Sequence, residues 1–273
     1  MKKELSKLVL ADCLFMFFLA LSGFFTNIFG SIFYGAAFVL PVCLLLIPSK
    51  KAEGEEDDYK INVIGSKRAI KLSAAFCFPT VLIIILFSFL TSLLIQLLGL
   101  GAEVSAHEGN ILYVVLVYAL APAIFEEMLF RYIPIRKLGA YSPKLAVIYS
   151  AVLFSLVHAN ILQMPYALVG GLILAAIDVA ADSVLPSMII HFINNVLSLL
   201  WEREGESTLF VIIFFSSLLL LSAISVAYII IKRKSVKAEF SKIFTDKSKF
   251  IFTYPFGIFL FVMIFMAIAT CIR

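Results

Sequence analysis

The chain has 273 residues, of which 62% are hydrophobic and 15% charged, with a formal net charge of +4 and a mean hydropathy of +1.06. That balance excludes an ordinary soluble globular domain, and the lack of alternating apolar and polar runs argues against a membrane β-barrel. The small positive charge comes with no nucleic-acid motif, so no nucleic acid is expected as a partner.

The expected fold class is all-α, a polytopic membrane helix bundle of eight or nine transmembrane helices. Nine apolar segments can be drawn, at 8–27, 28–47, 72–98, 111–133, 145–163, 165–180, 184–201, 208–231 and 250–271. Most approach the roughly 20 residues that a helix needs to cross about 30 Å of hydrocarbon. The basic start at Lys2 and Lys3 leads into an apolar run that continues to Asn27, so it reads as a retained first span rather than a cleaved leader. Pro79 allows the long third segment to kink, and the short sixth leaves eight spans open beside nine. The cysteines Cys13, Cys43, Cys77 and Cys271 have no paired spacing and read as small buried hydrophobes.

Basic residues orient the chain. With the N-terminus inside, the cytoplasmic segments hold three Lys or Arg before the first span, six from Lys50 to Lys71, four from Arg131 to Lys144 and seven from Lys232 to Lys249. The external side holds only Arg203 and Arg273, so a multi-pass cell-membrane protein with a cytoplasmic N-terminus is expected. The acidic run Glu53 to Asp58 and the basic stretch after it read as a solvated linker with an interfacial helix. His107 falls in an external loop and reads as solvated. Residues 1–110 carry only isolated polar residues in their spans, such as Asp12 and Gln96, and read as scaffold. Residues 111–205 read as the catalytic core and 206–273 as C-terminal transmembrane helices.

Three polar sites in that core stand out. The first is Glu126, Glu127 and Arg131, the second Phe154 with His158, and the third His191 with Asn194 and Asn195. A charged carboxylate at the centre of a bilayer helix costs roughly 2.5–3.5 kcal/mol even on lenient scales, so the glutamates need partners or water. Residues four apart share a helix face, which pairs Glu127 with Arg131 and sets His191 beside Asn195. Glu126, turned about 100° away, is free to face His158, His191 and Asn195. A carboxylate, two imidazoles and an amide in one wet intramembrane pocket suit peptide hydrolysis. Glu126 and His158 would activate water, and His191 and Asn195 would donate to the oxyanion. Asp178 and Asp182 read as a turn or as helpers of the site, and Asn194 as a packing residue.

These residues also carry a resemblance. GluGluMetLeuPheArg at 126–131 fits EExxxR, PheSerLeuValHis at 154–158 fits FxxxH, and HisPheIleAsnAsn at 191–195 fits HxxxN. In this order they resemble the CPBP family of CAAX-processing and bacteriocin-processing (Abi) intramembrane proteases, which includes the type II CAAX prenyl endopeptidases. The resemblance covers about 120–200. It implies Glu126 as the catalytic base, Glu127 and Arg131 as its neighbours, His158 sharing the water, and His191 with Asn195 completing the site. It also implies an endopeptidase that cleaves a membrane-associated peptide or lipidated tail. Members are often labelled metalloproteases, yet no HExxH helix is present. Glu126, His158, His191 and Asn195 could hold a divalent metal such as zinc, which ranks below direct water activation. Two other readings compete: a catalytically silent scaffold or bacteriocin self-immunity factor, and an ion-coupled transporter, against which stands the lack of a repeated half. The sequence leaves the oligomeric state open.

Overall fold

The computed structural model describes residues 1–24, 28–46, 58–99 and 110–269. His107, Cys271 and the acidic residues 53–57 lie outside them. Among the described residues nine long helices stand at the nine apolar segments: α1 Lys2–Phe24, α2 Ile28–Leu46, α3 Lys67–Leu97, α4 Ile111–Leu138, α5 Pro143–Leu156, α6 Gln163–Ala181, α7 Leu185–Glu204, α8 Thr208–Ile231, and a last one at Tyr254–Ala269. Two short helices, α9 Arg233–Glu239 and α10 Ser241–Phe244, precede that last helix, α11. No strand occurs among the described residues, only an isolated bridge between Asn62 and Ser183.

Five of these helices, α1, α3, α4, α6 and α8, are long and apolar enough to cross a membrane. The other four of the nine fall short of that length or apolarity. The apolar stretches of α2, α5 and α11 are shorter, and α7 spends its apolar length on His191, Asn194 and Asn195 and ends at Glu202, Arg203 and Glu204. The cysteine expectation also needs correction. Cys77 is buried, but Cys13 and Cys43 are exposed, because they fall on outward faces of α1 and α2.

Helix α4 is built around two prolines. Its turns Leu116–Leu120 and Met128–Tyr132 are π-helical, closed by bonds from the Ala121 N–H to the Leu116 carbonyl and from the Ile133 N–H to the Met128 carbonyl. Each wide turn thus ends on the residue before a proline, Pro122 or Pro134. Proline has no N–H to donate and its ring crowds the carbonyl four residues back, so widening the preceding turn relieves the clash. The carbonyl that Pro134 leaves without its helical partner, that of Phe130, accepts the Ser150 hydroxyl of α5 at 2.5 Å. Sequence punctuation in α4 is therefore answered by a buried donor on its neighbour.

An aromatic chain joins the N-terminal helices to this core. Phe38 of α2 meets Phe15 of α1 at 5.2 Å, Phe15 meets Phe130 of α4 at 5.5 Å, and Phe130 meets Phe154 of α5 at 5.8 Å, edge to face in each case. On the other side, α6 approaches both α5 and α3 closely. A Cβ on Gly171 would sit 3.1 Å from the Ala151 Cα, and one on Gly170 would sit 2.9 Å from Ile84 Cδ1. Small residues allow the close backbone approach that packs helices where no hydrophobic drive operates between them.

The basic ends of the helices are tied together. Asp182, left-handed at φ +52° as it closes α6, accepts the Tyr59 hydroxyl at 3.0 Å, Lys242 Nζ at 2.6 Å and Arg68 Nη1 at 3.2 Å. Asp182 is thus a turn residue rather than a helper of the site. Asp58 pairs with Arg136 at 2.9 Å and Lys137 at 3.2 Å.

The segment after α10 docks on the start of α5 through Asp246. Its carboxylate accepts the Ser142 hydroxyl at 2.5 Å, the Lys144 N–H at 3.1 Å and the Ser248 N–H at 2.8 Å. Burial pushes the Asp246 carboxyl up, but these hydrogen bonds outweigh it and hold the group well below the usual carboxylate range. A depressed native pKa gives stability that is complete above the unfolded carboxyl value and lost as pH falls through the native one. Docking of this segment should therefore survive mild acid. Asp246→Ala should release it at neutral pH, seen as proteolysis between residues 240 and 250 several times faster than in the parent; an unchanged cutting rate would show that the carboxylate holds nothing there.

Candidate active site

The three polar sites meet where α4, α5 and α7 converge. Glu127 and Arg131 are both fully buried, with Arg131 Nε 3.2 Å from Glu127 Oε2. This matches the expected pairing four residues apart. The other Glu127 oxygen, Oε1, lies 2.6 Å from His191 Nδ1. Glu127, not Glu126, is therefore the carboxylate that holds His191. The rotation of α4, which the sequence period alone leaves undetermined, is set by the two π turns and by the packing of Phe130 on α1 and α5.

Glu126 takes the opposite edge of the same imidazole. Its Oε2 stands 4.0 Å from His191 Nε2, with about a fifth of its side chain exposed. That separation is too long for a direct hydrogen bond and fits one water bonded to both groups. A carboxylate oxygen only accepts from nitrogen, so Glu127 fixes the proton on His191 Nδ1 and leaves Nε2 turned toward Glu126. The arrangement is a carboxylate and imidazole pair, oriented by a buried arginine, with a second carboxylate across a water-sized gap.

His158 stands just past the end of α5, not within a helix running to residue 163. The helix ends at Leu156, and Ala159 turns left-handed at φ +46°. His158 Nδ1 bonds the Phe154 carbonyl at 2.8 Å, an acceptor left free by the helix end. The proton therefore sits on Nδ1, and Nε2 of the neutral ring carries the lone pair. No contact joins His158 to Glu126 directly. Asn195 is half-buried one turn beyond His191, and its side chain makes no hydrogen bond among the described residues. The expected meeting of Glu126, His158, His191 and Asn195 thus resolves into one close pair, Glu126 with His191, and two further side chains on adjoining elements. The Asn194 backbone carbonyl accepts the Ser198 hydroxyl at 3.0 Å.

Phe154 is the physical link. Its ring carries the Arg131 guanidinium at 3.7 Å from the centroid, and it meets His158 at 4.8 Å and His191 at 5.9 Å edge to face. The first residue of FxxxH thus touches a member of each other motif. Sequence reading left one neighbour, Asp178, open between a turn and a helper of the site, and missed another, Ser187. Asp178 of α6 is fully buried and accepts the Ser187 N–H at 3.1 Å, and Ser187 lies against both Glu127 and Asp178. The available signal was the spacing of four between Ser187 and His191.

Whether an ion suits these residues can be judged from their arrangement. Among the described residues no three His, Cys, Asp or Glu side chains converge to hold a metal. The set Glu126, His158, His191 and Asn195 is not gathered as a ligand shell, and His158 commits Nδ1 to the backbone.

Residues 108–197 match the family model of the Rce1-like type II CAAX prenyl endopeptidases. Comparisons with curated proteins and with solved structures return no match. The matched span contains all three motifs and every side chain of the cluster around Glu127 and His191. Residues 108–197 thus match the Rce1-like type of CAAX protease domain, carried on a bundle of apolar helices.

Proposed function

We propose that the chain is an intramembrane endopeptidase in which Glu126 and His191 activate water against a peptide bond. The observation that carries this reading is the 4.0 Å approach of His191 Nε2 to Glu126 while Glu127 holds Nδ1 at 2.6 Å. A water in that gap would give its proton to Glu126 as its oxygen adds to the scissile carbonyl carbon. Glu127 and Arg131 hold the imidazole in one tautomer and one direction, as the buried carboxylate of a catalytic triad does. The Asn195 amide donates to the oxyanion, while His191 Nε2, whose lone pair accepts the water's other hydrogen, helps to activate the water instead of donating to the oxyanion, with His158 sharing the water. Collapse of the tetrahedral intermediate breaks the C–N bond, and the proton on Glu126 passes to the leaving amine.

The substrate we assign is a membrane-associated peptide or lipidated tail. The chain crosses the membrane eight or nine times with its N-terminus in the cytoplasm, surrounded by lipid. In this arrangement residues 1–110 are scaffold, 111–205 the catalytic core and 206–273 C-terminal transmembrane helices. The test is cleavage of lipid-anchored reporter peptides by the full chain in phospholipid vesicles. Glu126→Ala and His191→Ala should each fall by at least about a hundredfold while remaining folded. Undiminished cleavage in Glu126→Ala would overturn the assignment, and an intact biological effect without cleavage would point to a binding scaffold.

A further inference from the structure

The pair between Glu127 and His191 depends on how α7 is rotated, and α7 begins without a capping side chain of its own. Its N-cap residue is Val184, which has no side-chain acceptor. Each donor of the first turn is nevertheless accounted for. The Val184 N–H goes to the Asn62 carbonyl at 3.0 Å, the Leu185 N–H goes to Ser183 Oγ at 3.2 Å, and Pro186 has none. The Ser187 hydroxyl is spent on the Val184 carbonyl at 2.9 Å. That leaves the Ser187 N–H, which is satisfied from the preceding helix by Asp178 Oδ1 at 3.1 Å.

Asp178 holds the turn from both ends. Its backbone carbonyl accepts the Asp182 N–H and, at 3.2 Å, the Ser183 N–H, closing α6. Its carboxylate then crosses to the first turn of α7. Ser187 is one helical turn before His191, so the residue Asp178 grips shares a face with the imidazole. Both Asp178 and Ser187 are fully buried, so water does not substitute for this bond from the bulk.

We propose that Asp178 is a positioning residue for His191. Its carboxylate acts as a cap supplied in trans from α6, fixing the rotation of α7 and so the contact of His191 with Glu127. This rests on the proposed hydrolytic reading of that pair. Removing the cap frees the first turn to rotate, and a displacement of about 1 Å at a reacting group costs up to about a hundredfold in rate.

The test uses the full chain in vesicles and compares the parent with Asp178→Ala and Asp178→Asn, whose amide oxygen still accepts the Ser187 N–H. Asp178→Ala should lower kcat roughly tenfold or more with KM within about twofold, and Asp178→Asn should stay within about threefold of the parent. Hydrogen exchange of the amides from Ser187 to His191 should speed up in the alanine variant alone. If alanine fails to fold, Asp178→Ser takes its place, its hydroxyl being too short to reach α7. Parent-like kcat and exchange in the truncated variant would overturn the proposal, and so would equal losses in Asn and Ala. Should the parent not cleave at all, the hydrolytic reading fails, and the exchange rates decide the positioning role on their own.

Discussion

Arg131→Ala is expected to cost about 3–5 kcal/mol of stability and to abolish cleavage. Glu127 and Arg131 are wholly buried, and removing one member of such a pair leaves the other as an uncompensated charge. The loss should therefore far exceed that of a surface ion pair. The same principle predicts the cure. Glu127→Leu combined with Arg131→Met replaces the pair by apolar groups of similar length, and the double variant should melt close to the parent in a thermal-shift measurement. It should nonetheless stay inactive, because nothing then holds His191 Nδ1. A double variant as unstable as Arg131→Ala would show that the site folds around the charges themselves. Full activity in Arg131→Ala would remove the pair from the mechanism.

Phe154→Ala should cost a comparable amount, about 3–5 kcal/mol, as expected for deleting a buried aromatic ring. More telling is Phe154→Leu, which keeps much of the volume and loses the π face beneath Arg131. The guanidinium stands 3.7 Å above that face, and a desolvated contact of this kind contributes up to about 2 kcal/mol. The leucine variant should remain folded yet cleave more slowly, since Arg131, His158 and His191 all take their seats from the ring. Cleavage at the parental rate in Phe154→Leu would reduce Phe154 to core filler.

The helices were legible because an apolar run of sufficient length has few alternatives in a membrane protein. All nine segments correspond to helices, and the pairing of Glu127 with Arg131 follows from helical spacing. Four features were not legible, each for a tertiary reason. The π turns of α4 sit before Pro122 and Pro134, and the second is completed by Ser150 of α5, twenty residues beyond the Phe130 carbonyl that it bonds. The choice of Glu127 over Glu126 as the partner of His191 depends on the resulting rotation. The end of α5 at Leu156 hides in an apolar run that continues past His158, so periodicity alone carried the helix too far. The burial of Asp178 likewise became intelligible only once the donor on α7 was known.

The tie at Asp182 has a consequence for synthesis. Tyr59 and Arg68 precede Asp182 by 123 and 114 residues, whereas Lys242 follows it by 60. As the chain leaves the ribosome, the turn between α6 and α7 meets two of its partners early and waits for the third. Glu127 and His191 can find one another before the last helix has been inserted, and only the arrival of Lys242 locks the turn beneath them. Lys242, the last of the three partners to be synthesised, thus completes the tie at Asp182.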